Sequence, residues 1–491
     1  MNKPIDVDAI WKSGATEALD VAVQLKPFRS WLIARAERHL EQKFFEENRD
    51  RMYLRVQRMR KQALMNLLYS IDRGIRRRII SPHVRKRVLS TFVGNVLTGE
   101  KDRMKPFREQ HGFDPPTFVT ISPTKRCNLQ CTGCYAGSTS SEKSTLDYET
   151  FTRIMREKRE EWGSHFTVIS GGEPLMYRSR GKTLLDVVSE QSDNYFLMYT
   201  NGTLITDEVA RRMAELGNIV PAISVEGWEH DTDERRGRGV FRKIETAMEI
   251  LRRHGVPFGM SVTATRHNAE TVLSDEFMDY FFDEHGAIFG WIFQYMPIGR
   301  SYTVDLMVTP EQRKWMLERE MDLLYKHDRF MIDFWNGGPM SLGCIAAGRS
   351  GGYFYIDWDG NIAPCVFFPY AVANINEIYE QGGSISDVLW SGLFTRIRAW
   401  QTDQRGNYGQ SEVKNLFCPC PIRDHHQFAE QLITDHEVRP LDPDAEAAYG
   451  DAEYHRRMRE YDNRLRRLLD PMWEEEFETT EEAEKERAGT M

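Results

Sequence analysis

Three cysteines fall close together in "ISPTKRCNLQCTGCYAG" (121 to 137), at Cys127, Cys131 and Cys134. Their spacing is C-x3-C-x2-C. A structural zinc takes four ligands, usually as two separated pairs, and the chain has no second C-x2-C. Three thiolates from one tight loop match a 4Fe-4S cube instead, with one iron left without a protein ligand and open to a substrate or cofactor. An open iron implies catalysis and not electron storage alone.

The other four cysteines form a second set. Cys344 and Cys365 flank an apparent hairpin in "GCIAAGRSGGYFYIDWDGNIAPC", and "FCPCPIRDHH" adds Cys418 and Cys420, which accounts for all seven. Seven clustered cysteines in a 491-residue chain are no disulfide framework. The set reads as the ligands of one auxiliary 4Fe-4S cluster, with zinc on the same four thiols as the alternative. His425 and His426 are candidate substitutes, but the thiol count is complete without them and the pair is better placed to start a helix.

Something must hold these loops together. From Pro115 to about Asp328, strand-like runs alternate with helix-like segments. The runs are "TFVTIS" (117–122), "HFTVIS" (165–170), "YFLMYT" (195–200), "NIVPAISV" (218–225), "PFGMSVTAT" (257–265) and "AIFGWIFQYM" (287–296). Helices are expected over 148–162, 207–216, 240–254 and 269–284. A further one opens at "TPEQ", where Thr309 caps, Pro310 fits the first turn and Gln312 closes a capping box. The fold class is α/β, a partial (β/α)6 barrel. The cysteine loop, "GGEP" (171–174), "TNGT" (200–203) and "SVEG" (224–227) then follow strands one to four at the C-terminal rim, where such barrels do their chemistry.

With these motifs on one rim, the chain resembles the radical S-adenosylmethionine (SAM) enzymes, with a C-terminal SPASM or twitch-type auxiliary-cluster domain, over roughly residues 115 to 430. The resemblance implies a SAM-binding 4Fe-4S cluster on Cys127, Cys131 and Cys134. It also implies reductive cleavage of SAM to a 5′-deoxyadenosyl radical, which takes hydrogen from an unactivated C–H bond. By the same analogy Gly171, Gly172 and Glu173 line the methionine amine. Ser224 and Arg236 hold its carboxylate, with Arg235 a competitor in "ERRGRG". Thr200, Asn201 and Gly202 lie near the ribose or sulfonium. Many members carry an adenine-packing aromatic just before the third cysteine. Here that position is Gly133, and Tyr135 is the candidate replacement. An electron donor such as flavodoxin or ferredoxin is the implied partner. No catalytic residue beyond these ligands is assigned.

The net charge of -9 conceals a polarised chain. Residues 51 to 90 hold twelve Lys or Arg against one acid, Asp72, whereas the tail "WEEEFETTEEAEKERAGTM" is acidic. Within the basic arm Leu64, Leu67, Leu68, Ile71, Ile75 and Ile79 recur at helical spacing. Such an arm suits an anionic membrane surface, the acidic tail of the same chain, or a cap on the next domain. With only Tyr53 and Tyr69 as aromatics it lacks the stacking platform of a nucleic-acid binder. The expected organisation is a basic helical region (1–112), the barrel (113–330), an auxiliary-cluster domain (331–435) and a helical acidic tail (436–491). No apolar run reaches the roughly 18 residues of a membrane span, and no signal peptide is legible, so a cytoplasmic location is expected, with membrane-peripheral contact as its variant.

The substrate expectation is a peptide or protein, as for many SPASM-type relatives. A lipid or isoprenoid chain competes, because unactivated alkyl C–H bonds require a radical and a cationic arm would dock on anionic head groups. A non-catalytic Fe-S electron-transfer protein would need neither "GGEP" nor a carboxylate-binding arginine.

Overall fold

The computed structural model describes residues 23–98, 100–409 and 411–477. Each of the six apolar runs becomes a strand: β1 Phe118–Ile121, β2 Phe166–Ile169, β3 Tyr195–Thr200, β4 Ile219–Val225, β5 Gly259–Ala264 and β6 Phe289–Gln294. β1 to β5 are buried almost throughout, as expected where helices cover one face and side chains fill the barrel on the other. Four more strands complete the sheet: β7 Phe330–Asp333, β8 Tyr355–Ile356, β9 Asn361–Ala363 and β10 Ala373–Asn374. Their order is β10-β9-β8-β1-β2-β3-β4-β5-β6-β7.

From β8 to β7 every pairing is parallel, and β9 and β10 add antiparallel strands at one edge. The six expected strands are thus flanked by two further parallel ones. The boundary expected at 330 falls on β7, which pairs with β6, and the hairpin between Cys344 and Cys365 docks on β1. The first part of the auxiliary region is therefore built onto the barrel sheet and shares its core.

Helices α1 Lys26–Glu41, α2 Leu54–Arg76 and α3 Pro82–Val88 precede the sheet. Within the barrel lie α4 Tyr148–Trp162, α5 Asp207–Leu216, α6 Glu229–Arg236, α7 Val240–His254 and α8 Pro310–Lys326. Helices α9 His426–Asp435 and α10 Ala452–Phe477 end the described chain. The capping box of α8 forms as its sequence dictates: Gln312 N–H donates to Thr309 Oγ1 (3.1 Å) and Thr309 N–H to Gln312 Oε1 (3.0 Å). The helix expected over 269–284 breaks instead into Ala269–Val272, Asp275–Met278 and Asp279–Glu284. Ser274 is the reason, since its hydroxyl accepts from Phe277 N–H (3.2 Å) and starts a new helix there.

The basic arm is a cap. Ile79 and Ile80 are buried, and Ile71, Ile75 and Ile80 pack with Val84 and Ile288 of the barrel. Asn66 Nδ2 donates to Leu324 O (2.8 Å), tying α2 to α8. The arm's cations meet acids and carbonyls of the same chain: Arg55 with Glu476 (2.5 Å), Arg60 with Asp50 (2.7 Å), Lys61 with Glu41 (2.6 Å), and Arg77 donating to Asp283 O (2.6 Å). Tyr53, Val56 and Met59 of the arm pack with Leu465, Leu469 and Trp473 of α10. The apolar stripe a membrane surface would need is thus largely packed against the protein itself; the acidic residues 478–491 lie outside the described residues. After α3, Phe92 and Val96 plug the barrel at the N-terminal ends of its strands, with Phe92 5.1 Å from the Tyr195 ring. Among the described residues no helix is long and apolar enough to cross a membrane.

Candidate active site

The loop after β1 carries Cys127, Cys131 and Cys134, and it is pinned from several sides. Cys127 N–H donates to Thr139 O (3.0 Å), and Thr132 N–H to Arg235 O (3.0 Å). Arg300, just beyond β6, donates to Cys131 O (2.7 Å) and Ser138 O (2.6 Å). Around the sulfurs, Leu129 N–H and Asn201 Nδ2 reach Cys127 Sγ (3.4 and 3.7 Å), and Arg236 reaches Cys131 Sγ (3.9 Å). Burial pushes the Cys127 thiol up to about 12, so a thiolate there needs a cation beside it. This donor set, three thiols with hydrogen-bond donors on the sulfurs of Cys127 and Cys131, fits an iron-sulfur cluster.

"GGEP" follows β2 and lies against that loop, and only glycine fits at its first two positions. A Cβ on Gly172 would stand 2.3 Å from Arg126 O, and Gly171 (φ +115°) would meet Thr124 O at 2.9 Å. The loop's N–H groups are taken: Gly171 by Tyr135 Oη (3.0 Å), Gly172 by Thr124 O (2.9 Å) and Glu173 by Arg126 O (2.8 Å). The two glycines are left with carbonyl oxygens to offer a ligand, which suits an ammonium. Glu173 does not line the cavity described below. Its fully buried carboxylate accepts from Leu175 N–H (3.1 Å), Thr200 Oγ1 (2.8 Å) and Asn201 N–H (2.9 Å). Burial pushes it up against these bonds, which favour the charged form. The expected amine ligand is thus a brace between strands, because β3 offers it three donors' worth of partners with the 3₁₀ turn at 174–176. Thr200 and Asn201 line the cavity from the same brace.

Ser224, Arg235 and Arg236 all line the cavity described below. The guanidinium of Arg236, however, grips Glu226, through Nε at 2.8 Å and a second, shorter contact, and Arg235 donates to the same Oε1 (2.6 Å). Burial pulls Arg236 down, but Glu226 outweighs it and holds the guanidinium above its ordinary value. Two cations around one buried carboxylate leave a net positive wall, which fits a carboxylate ligand. Ser224 Oγ lies 3.2 Å from Ser261 Oγ. Glu226 escaped sequence reasoning, although an acid in "SVEG" ahead of "ERRG" is its signal. Arg300, in "YMPIGR", has none.

The missing aromatic at Gly133 also has an answer in space. A Cβ there would stand 2.5 Å from Tyr295 Cε2, so the Tyr295 ring, from just beyond β6, lies flush on the glycine and lines the cavity. Tyr135 lines it too, with its hydroxyl 2.5 Å from Ser170 Oγ and its ring edge-on to Phe367 at 6.1 Å.

Of the auxiliary set, Cys344, Cys365 and Cys420 line the cavity. Tyr353 Oη lies 3.1 Å from Cys365 Sγ, and Gln401 Nε2 donates to Cys344 Sγ (3.5 Å). Burial pushes the Cys365 and Cys420 thiols up to about 12 and about 11. Cys418 turns the other way, into the packing around Phe417, Trp473 and Phe477, with Asn415 Nδ2 at 3.9 Å. The cause is the buried pair of Arg313 and Asp424. Asp424 accepts from Cys420 N–H (3.1 Å), while Arg313 donates to Asp424 Oδ2 (3.0 Å) and Phe417 O (2.9 Å), which fixes the direction of the C-P-C turn. Neither histidine substitutes: His425 bonds Cys418 O (3.0 Å), and His426 starts α9 and faces His455.

Both cysteine sets open on one cavity of about 670 Å³. Between them its walls are mostly aromatic and aliphatic, with Tyr199, Phe293, Phe334, Trp335 and Phe367 beside the polar Gln294 and Asp333, and Phe44 and Leu64, the latter in the basic arm, also line it. Phe367 knits the two halves, 5.9 Å from Phe293 and 5.1 Å from Trp335.

The sequence profile of the Radical SAM superfamily matches residues 121–275. An AdoMet-dependent heme synthase of Nitratidesulfovibrio vulgaris is 30% identical over 377 residues, covering 66% of this chain and 94% of that protein. The mycofactocin maturase MftC of Mycolicibacterium smegmatis is 28% identical over 302 residues, covering 60% of this chain and 75% of that protein. Among solved structures, Streptococcus suis SuiB bound to the precursor peptide SuiA matches with a TM-score of 0.52 at 17% identity, over 66% of this chain and 76% of SuiB. That likeness speaks for the fold alone.

Proposed function

This chain belongs to the radical SAM superfamily, an enzyme family that binds a 4Fe-4S cluster and SAM, and on that premise we propose that it takes hydrogen from an unactivated C–H bond of an apolar substrate held in the cavity between its two cysteine sets. The substrate class that fits best is a lipid or isoprenoid chain. The carrying observation is the cavity itself: about 670 Å³ and mostly lined by aromatic and aliphatic side chains, with Thr263, Gln294 and Asp333 as polar groups along it and Lys43 and Arg60 beside Leu64 of the arm. The apolar part of this lining rewards an alkyl chain at about 25 cal/mol per Å² buried, and its polar groups, Thr263, Gln294 and Asp333 among them, are too few to pair every N–H and C=O of a peptide backbone laid along it.

The cluster and SAM, when bound, supply the 5′-deoxyadenosyl radical. The chain does the rest. Cys127, Cys131 and Cys134 hold the cluster iron. The carbonyls of Gly171 and Gly172 receive the SAM ammonium, and Arg236, anchored by Glu226 and helped by Arg235 and Ser224, receives its carboxylate. Thr200 and Asn201 stand beside them, and Tyr295 and Tyr135 offer the rings nearest the cysteine loop. Cys344, Cys365 and Cys420 hold an auxiliary cluster across the cavity, with Cys418 outside the set. An electron donor of flavodoxin or ferredoxin type would supply the electron that this chemistry needs.

A peptide substrate is the second reading, favoured by the resemblance to a maturase; it would enter by one apolar side chain from the rim. The relatives named heme synthases favour a third apolar guest, a tetrapyrrole. One experiment separates them. The reduced enzyme is incubated with SAM and, in turn, a deuterated lipid extract, a deuterated peptide digest and deuterated porphyrins, and 5′-deoxyadenosine is read by mass spectrometry. Deuterium in 5′-deoxyadenosine from the lipid extract alone is the expected result; enrichment from peptide or porphyrin alone overturns the lipid reading.

A further inference from the structure

Away from the cavity, α9 and α10 bring two imidazoles face to face. His426 Nε2 lies 2.9 Å from His455 Nδ1. The outer nitrogen of each ring faces a backbone carbonyl: His426 Nδ1 to Ile422 O at 2.9 Å, and His455 Nε2 to Tyr449 O at 3.0 Å. A carbonyl oxygen only accepts, so both outer nitrogens carry hydrogen. In neutral rings the two inner nitrogens are then both lone pairs, pointed at each other across 2.9 Å. That arrangement is repulsive unless a proton or a metal ion lies between them. It is also the arrangement by which metal-binding histidines are oriented, the far N–H given to a carbonyl and the near lone pair left for the ion.

A third donor is at hand. Glu430, one helical turn after His426, places Oε1 3.5 Å from His455 Nδ1, and the ligand atoms of all three residues lie within 4.8 Å of one another. Arg459 donates to both oxygens of Glu430 (2.6 and 2.8 Å), fixing the carboxylate from outside. Next to the histidines is a hollow of about 20 Å³ lined by Asp444, Tyr454, His426 and His455, the volume one water needs. His426 and His455 are buried, while Glu430 is partly exposed and gives an ion its way in.

We propose that His426, Glu430 and His455 form a divalent-metal site of zinc type, two imidazole nitrogens and one carboxylate oxygen with water in the fourth position, outside the radical site. Nitrogens bound at about 2.0–2.1 Å to a tetrahedral ion stand roughly 3.3 Å apart, so the pair has to open by only about 0.4 Å. The ion ties the start of α9, six residues after Cys420, to α10, and so fixes the turn that aims Cys420 at the cavity.

The test uses the purified, cluster-containing protein. Chelator treatment followed by Co²⁺ titration is expected to give one saturable site with visible ligand-field bands and no sulfur charge-transfer band, which sets it apart from cobalt on cysteine. Zn²⁺ is expected to displace the cobalt and to raise the unfolding temperature. His455→Gln and Glu430→Gln, which keep volume and polarity, are expected to lose the cobalt bands while retaining the iron-sulfur absorption. Equal titrations of wild type and His455→Gln, or bands dominated by sulfur charge transfer, overturn the proposal. Either outcome would leave the pair sharing a proton. If His455→Gln lowers yield, Glu430→Gln carries the comparison, since its side chain lies at the surface.

Discussion

At the scale of residues, the decisive feature is the sharing of Glu226 by two arginines. An arginine that merely lined the cavity would have to be desolvated and held still by its ligand, whereas Arg236 is already fixed by Nε and a second nitrogen on one oxygen. Preorganisation of that kind lowers the cost of binding a carboxylate. Arg236→Ala is therefore expected to weaken SAM binding by roughly 2–5 kcal/mol without loss of iron. Glu226→Gln is expected to weaken it too, by freeing the fork, although Glu226 carries the same sign as the ligand. Calorimetric SAM binding with iron analysis checks both. Tighter SAM binding in Glu226→Gln would mean that the carboxylate repels the ligand more than it orients the arginines. At this scale "GGEP", "TNGT" and the triad spacing were legible because each is local. Arg300 and Tyr295 were not, because their partners at the cysteine loop lie far away along the chain and no local pattern marks them.

At the scale of elements, the C-P-C turn that leads into α9 depends on one buried ion pair between α8 and that turn. Arg313 and Asp424 are both fully inaccessible, and between them they hold Phe417 O and Cys420 N–H. Breaking such a pair leaves an uncompensated buried charge, so Asp424→Asn is expected to cost about 3–5 kcal/mol and to disturb the Cys420 side of the cavity. Burial pushes the Asp424 carboxyl up, but Arg313 and Arg423 outweigh it and hold it down to about 2. Its contribution to stability is therefore full above the ordinary aspartate value of about 3.9 and disappears as pH falls toward 2. The gap between wild type and Asp424→Asn is expected to narrow across that window. Denaturant unfolding of cluster-free protein measures it without acid loss of iron intervening; a gap that does not narrow would mean the carboxyl is neutral in the fold. The capping box of α8 and the exact spans of α4, α5 and α7 could be read from sequence, since caps and amphipathic period are local properties. The placement of Cys418 away from the cavity could not: thiol counting gives four ligands, but the C-P-C turn that carries Cys418 and Cys420 is held by a salt bridge between residues more than a hundred apart.

At the scale of the whole molecule, the arm changes meaning. Read alone, its cations and apolar stripe suit a membrane; in the fold, Ile71, Ile75 and Ile80 pack on Ile288 while Leu64 and Phe44 close the end of the cavity. The arm thus meets the substrate space directly, through residues distinct from those assigned to SAM, and this gives the two sets separable roles. Leu64→Trp fills the arm end without touching Arg236, Gly171 or the cysteine loop. If a long apolar substrate extends through the cavity, this variant is expected to lose most substrate turnover, tenfold or more for about 1.4 kcal/mol of lost fit, while reductive SAM cleavage in the absence of substrate continues at the wild-type rate. Phe44→Leu, which enlarges the same end, is expected to accept longer chains. A guest that enters only at the rim, such as one peptide side chain, does not reach the arm. Unchanged turnover in Leu64→Trp, with iron content and SAM binding intact, would therefore remove the long-chain reading and return the choice to the rim.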